Sequence, residues 1–230
     1  MLFLLRQPVT LLAVAVALLV GIVVHCVVQA AAARAVGDRA PASFGRLSPD
    51  PRRHFEPFGI IAMLISGLGW NKPVPFQEPR FRGSRVRFTL AVLSGPFANL
   101  VLAVLGLVAL KLVDKGGFGS TDAFRVMPEG VGLAERMAYE FAVVNAGIAA
   151  LTLIPIPPLD GARILWVWAP RSPGWQNARY QLEERNIGLG ICVLLMLPLI
   201  AGSGLLLQLT LAIADAFLAP VASALGLAVV

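Results

Sequence analysis

His25 and Gln29 stand four residues apart in an otherwise apolar run, and Asp160 closes a proline-rich stretch far along the chain. Positions i and i+4 share one face of a helix. At that spacing the two histidines of an H-E-x-x-H helix grip one zinc ion, while the glutamate takes a proton from metal-bound water. Here the pattern reads His25-Cys26-Val27-Val28-Gln29: one imidazole is kept, a thiol stands at the base position, and an amide replaces the second imidazole. Ionisable and polar side chains inside apolar helices are costly and mark a candidate site. Asp160, just past a helix break in Pro157-Pro158-Leu159-Asp160-Gly161, is the natural companion.

The elements that must position these residues are membrane helices. Of 230 residues, 57% are hydrophobic and 14% charged, with a mean hydropathy of +0.78, a balance a soluble domain of this size could not hide from water. Residues 7–33 carry no charge and exceed the roughly 20 residues that cross a hydrocarbon core; the run is too long for a signal peptide and is read as a retained helix. Spans are expected at about 8–33, 88–110, 137–156 and 187–218, the last as one kinked helix or a hairpin around Gly202-Ser203-Gly204. Residues 58–70 are too short to span and are expected to be re-entrant or strand-like. The fold class is thus an all-α polytopic membrane protein forming one transmembrane domain. Pro155, Pro157 and Pro158 break the third span, a break tolerated in a bilayer only where protein or a water-filled space satisfies the freed carbonyls.

Charge gives the orientation. Residues 34–87 hold ten Lys or Arg and residues 163–185 hold four, whereas in 111–136 four basic residues face four acids. The basic loops are therefore expected in the cytoplasm and the N-terminus outside. The net charge of +6 follows from this bias, so nucleic acid is not expected as a partner; membrane lipids are. Cys26 and Cys192, both in apolar runs, predict neither a disulfide framework nor a four-cysteine zinc site. Trp70, Trp166, Trp168 and Trp175 sit near segment ends and read as interfacial anchors.

Five motifs in order, across about residues 10–168, resemble the site-2 protease family of intramembrane zinc metalloproteases, and in particular its compact bacterial members. They are His25-Cys26-Val27-Val28-Gln29; the stretch Ser48 to Gly59, with His54 and Glu56; Gly69-Trp70-Asn71-Lys72-Pro73-Val74-Pro75; Ser94-Gly95-Pro96-Phe97-Ala98-Asn99; and Leu153-Ile154-Pro155-Ile156-Pro157-Pro158-Leu159-Asp160-Gly161. The resemblance implies a site-2 protease-like core in a bacterial cytoplasmic membrane. It implies His25 and Asp160 as metal ligands, with Gln29 at the place of the second histidine, Cys26 at that of the general base, and Thr152 where the last motif has asparagine.

Those three departures fall on the chemistry. A neutral amide oxygen is a poor zinc ligand, and Cys26 is two carbons shorter than the glutamate it replaces, so it cannot serve as the same base. Two rescues are conceivable: a thiolate ligand from Cys26, which points about 100° away from His25 on a helix, or a His25, His54 and Asp160 triad with Glu56 as base. Against them stands a metal-free centre in which His25 hydrogen-bonds Gln29 or Asp160, His54 hydrogen-bonds within its loop, and Glu56 pairs with Arg52 or Arg53. The metal-free centre is preferred, with zinc the alternative cofactor. Gly95, Pro96, Asn99, Thr152, Pro155 and Gly161 are read as lining the groove, Asn99 bonding across to the break near Pro155. The expected role is binding a membrane partner or a transmembrane helix; an altered zinc endopeptidase and a structural subunit of a larger membrane complex are the alternatives.

Overall fold

The computed structural model describes residues 7–77, 81, 84–113, 132–196 and 205–227. Among them the chain forms helices α1 (Pro8–Ala35), α2 (Ala40–Ser43), α3 (Pro57–Ser66), α4 (Arg85–Val113), α5 (Leu133–Thr152), α6 (Asp160–Trp168), α7 (Pro173–Arg179), α8 (Ile187–Met196) and α9 (Leu205–Ala224). Three of them, α1, α4 and α9, are long and apolar enough to cross a membrane. The chain is an all-α integral membrane protein.

Helices α1, α4 and α5 pack on one another and form the frame of the molecule, with α9 against α5. Small residues make the close approach possible. At Gly106 on α4 a methyl group would sit 2.8 Å from the backbone nitrogen of Ala142 on α5, and at Gly21 on α1 one would sit 2.7 Å from the Asn145 side chain. Around this frame, Leu18, Ile22, Leu68, Trp70, Ile148 and Leu151 belong to one buried apolar cluster.

The strand-like alternative for residues 58–70 is corrected. Most of this run is α3, opened by Pro57, capped by the Glu56 carboxylate on the Gly59 N–H at 2.7 Å, and closed by Gly67 at φ 85°. The pattern misled because ten residues of nearly uniform hydrophobicity carry no period to separate helix from strand. The only bridge pairing among the described residues joins Phe55 to Asn71. Of the segment 187–218, α8 and the first part of α9 are described, and the passage between them lies outside the described residues, as does most of the 111–136 loop.

Irregular chain carries the remaining contacts. Asp38, just past α1, accepts from the backbone N–H of Ala40 (2.9 Å) and Gln77 (2.7 Å). Arg46 donates to the Pro73 carbonyl at 3.0 Å and to that of Arg53, and Arg163 on α6 donates to that of Val74. These bonds hold the loops against the C-terminal end of α1 and against α6, whose first residue is Asp160.

Candidate functional site

His25 lies in the interior of α1, fully buried, in a column of polar side chains that links α1, α4, α5 and α6. Three backbone carbonyls fix the proton directions in this column. Asn145 on α5 donates its amide N–H to the Phe141 carbonyl (2.8 Å), so its Oδ1 is an acceptor. Asn99 on α4 then donates to that Oδ1 (2.9 Å) and to the Gly21 carbonyl (3.1 Å), which leaves the Asn99 Oδ1 facing His25 Nδ1 at 2.7 Å. His25 Nδ1 therefore carries a hydrogen. Its other nitrogen, Nε2, lies 2.8 Å from Asp160 Oδ2.

Gln29, one turn further along α1, completes the closure. Its Nε2 donates to the Val92 carbonyl on α4 (2.7 Å) and to Asp160 Oδ2 (2.8 Å). The Val92 carbonyl needs that donor because Pro96 stands four residues later in the same helix and has no N–H to return. Gly95 makes room for the arrangement: a methyl there would lie 2.5 Å from His25 Nε2 and 2.8 Å from Gln29 Cγ.

Asp160 arrives as the first residue of α6, a favourable end for a carboxylate because the helix dipole is positive there. Gly161 lets α6 fold back onto the end of α5, since a side chain at that position would collide with the carbonyl of Leu153. Pro155 lies in the turn between the two helices. The second oxygen, Asp160 Oδ1, is 3.7 Å from the Arg163 guanidinium.

The other candidates lie elsewhere. His54 is buried in its loop and donates from Nε2 to the Ser48 carbonyl at 2.7 Å. Its pKa is lowered, chiefly by burial, against the raising effect of that bond. Glu56 is engaged in capping α3 rather than paired with Arg52 or Arg53, and Arg53 lies 3.9 Å from Asp50 instead. Cys26 is fully buried within α1. The Thr152 hydroxyl returns to its own helix at Ile148 (2.8 Å) and Ala149 (3.2 Å). Asn99 bonds Asn145 in the middle of α5 rather than the break near Pro155; the amide is a full turn or more away from the prolines, beside the histidine it orients. Asn145 escaped the sequence reading, although a buried asparagine in an apolar helix such as α5 was signal enough.

A catalytic zinc takes three protein ligands from imidazole, thiolate or carboxylate and keeps a fourth position open. Among the described residues no three His, Cys, Asp or Glu side chains converge. His25 and Asp160 supply two donors, already in contact with each other, and Gln29 turns N–H groups toward the carboxylate. Lone pairs not taken up by hydrogen bonds remain on Asp160 Oδ1, 3.7 Å from Arg163, and on Gln29 Oε1, a buried neutral amide oxygen without a protein partner. Two of the three protein ligands a catalytic zinc takes are therefore present, and no third His, Cys, Asp or Glu joins them among the described residues.

No protein-family profile and no solved structure matches the chain. A Bacillus subtilis (strain 168) protein named "Putative zinc metalloprotease YwhC" is 32% identical over 184 residues, covering 80% of this chain and 80% of that protein. Identity at that level, sustained over most of both lengths, does not arise from apolar composition alone, and the chain belongs to the metalloprotease family of this Bacillus subtilis relative.

Proposed function

We propose that this protein is a site-2 protease-like member of its family that no longer cleaves peptide bonds and instead binds a transmembrane helix or membrane partner, through the groove by which active proteases of that type admit substrate. The observation that carries this reading is the direct contact of His25 Nε2 with Asp160 Oδ2 at 2.8 Å, sealed by Gln29. Hydrolysis on zinc requires a metal-activated water and a group to move its proton. Cys26, at the base position, is a buried thiol two carbons shorter than a glutamate, and Glu56 caps a helix. His25, Asn99, Asn145, the Gln29 N–H groups and Asp160 Oδ2 are all joined by hydrogen bonds, which supports a role in holding the helices together.

The test is photo-crosslinking from Phe58, exposed on α3, in cells producing the wild type or Asp160→Asn. The reading expects the same crosslinked membrane partner in both and no cleavage product from either. Zinc-dependent cleavage of a single-span substrate, abolished by His25→Ala, would sink it. The name of the Bacillus subtilis relative favours that second reading, a zinc endopeptidase with an altered ligand set.

A further inference from the structure

At the end of α4 that begins with Arg85, a cavity of about 460 Å³ opens between α4, α6 and α7. Arg85, Arg171 and Arg179 line it, together with Trp166 and Trp175, and among the described residues no Asp or Glu is in its walls. Trp166 and Trp175 meet edge to face at 6.1 Å. Trp168 ties the same corner down, donating from Nε1 to Thr89 Oγ1 at 3.0 Å while the Arg85 guanidinium lies 5.9 Å over its ring.

Two features of this cavity are unsatisfied. The Trp166 side chain is buried, at 9% exposure, and its indole N–H has no partner. Arg179 is held by Glu183 at 2.9 Å, but among the described residues no carboxylate pairs with Arg85 or Arg171. A buried donor without an acceptor costs free energy, and cationic side chains beside it call for an anion with several acceptor oxygens. The cavity sits where a membrane-spanning helix ends, and Phe88 and Val167 give it an apolar wall. A phosphate attached to acyl chains meets all of these demands, since basic pockets between membrane helices take anionic lipid head groups and tryptophan favours the same depth.

We infer that this cavity is a binding site for the phosphate head group of an anionic phospholipid, held by Arg85 and Arg171 with the Trp166 N–H as a further donor. The inference is independent of the His25 centre, because none of these residues touches it.

The full chain, reconstituted in bilayer discs containing phosphatidylglycerol or phosphatidylcholine and released into neutral detergent, is examined by native mass spectrometry for retained lipid. Wild type is expected to keep phosphatidylglycerol selectively. Each arginine contributes about fivefold near an anionic surface, so R85Q/R171Q should retain it roughly 25-fold less well. Both arginines are exposed, so the fold should survive the change. Trp166→Phe keeps an aromatic side chain but removes the indole N–H together with its five-membered ring, and should weaken retention severalfold. Equal retention of the two lipids, an unchanged preference in R85Q/R171Q, or displacement of the lipid by inorganic phosphate at millimolar concentration would each overturn the assignment.

Discussion

Gln29 and Pro96 are complementary across the α1–α4 interface. Pro96 deprives the Val92 carbonyl of its helical partner, and Gln29 supplies the missing N–H from the neighbouring helix at 2.7 Å. The same amide group holds Asp160 at 2.8 Å. The residue that replaces a histidine in the resemblance to active proteases thus performs two structural tasks, and both need a donor rather than a lone pair.

Removing that donor should destabilise the fold, and the loss should depend on Pro96. Gln29→Leu leaves two buried acceptors short of a partner, a cost of about 1–3 kcal/mol. In a Pro96→Ala background the helix recovers its own N–H for Val92, so part of that cost should vanish. A double-mutant cycle by chemical unfolding in detergent measures the coupling; additive effects would show that the two residues do not share the carbonyl.

Gly95→Ala should be one of the most harmful small substitutions in the chain. Its methyl would sit 2.5 Å from His25 Nε2, and α4 or the imidazole must shift, a strain of about 1–3 kcal/mol. Gly190→Ala on α8, where nothing lies within 4 Å of the added carbon, is the matched control and should leave the melting temperature unchanged or slightly raised.

Much of this centre was legible in the sequence. His25, Gln29 and Asp160 stood out because polar groups in apolar helices need partners, and their spacing put them on usable faces. The partners themselves were not legible. That Asn99 meets Asn145, or that Gln29 meets a carbonyl on α4, depends on how closely α1, α4 and α5 approach, which Gly21, Gly95 and Gly106 determine through contacts no periodicity reveals. The strand-like alternative for 58–70 failed for a related reason: apolar runs of that length carry no period, and Glu56 was assigned to an ion pair with Arg52 or Arg53 rather than to the cap of α3.

His54 predicts a pH dependence. Burial lowers its pKa in the folded state, so below the ordinary histidine value of 6.5 the unfolded chain takes up a proton that the folded chain refuses. The contribution of His54 to stability is then complete above that value and is lost as pH falls from it toward the folded pKa, by at most about 1.4 kcal/mol for each pH unit of separation. Asp50, Arg46 and Arg53 are the charged neighbours that act on it. Melting curves at about pH 7.5 and about pH 5.5 should differ more for wild type than for His54→Asn; equal differences would show that His54 is not the group responsible.

Restoring the missing chemistry should restore metal binding. In C26E/Q29H a second imidazole joins His25 and Asp160, giving the three ligands that a catalytic zinc requires, so this variant should take up about one equivalent of zinc. If it binds zinc and still cleaves no single-span substrate, the groove itself has been repurposed.

The central claim is that His25, Gln29 and Asp160 close on one another without a metal. Its most direct test is the zinc content, by elemental mass spectrometry, of wild type purified from zinc-supplemented cells beside His25→Ala and Asp160→Ala. The account predicts the same trace level in all three proteins. One equivalent of zinc in the wild type, lost in both variants, would contradict it.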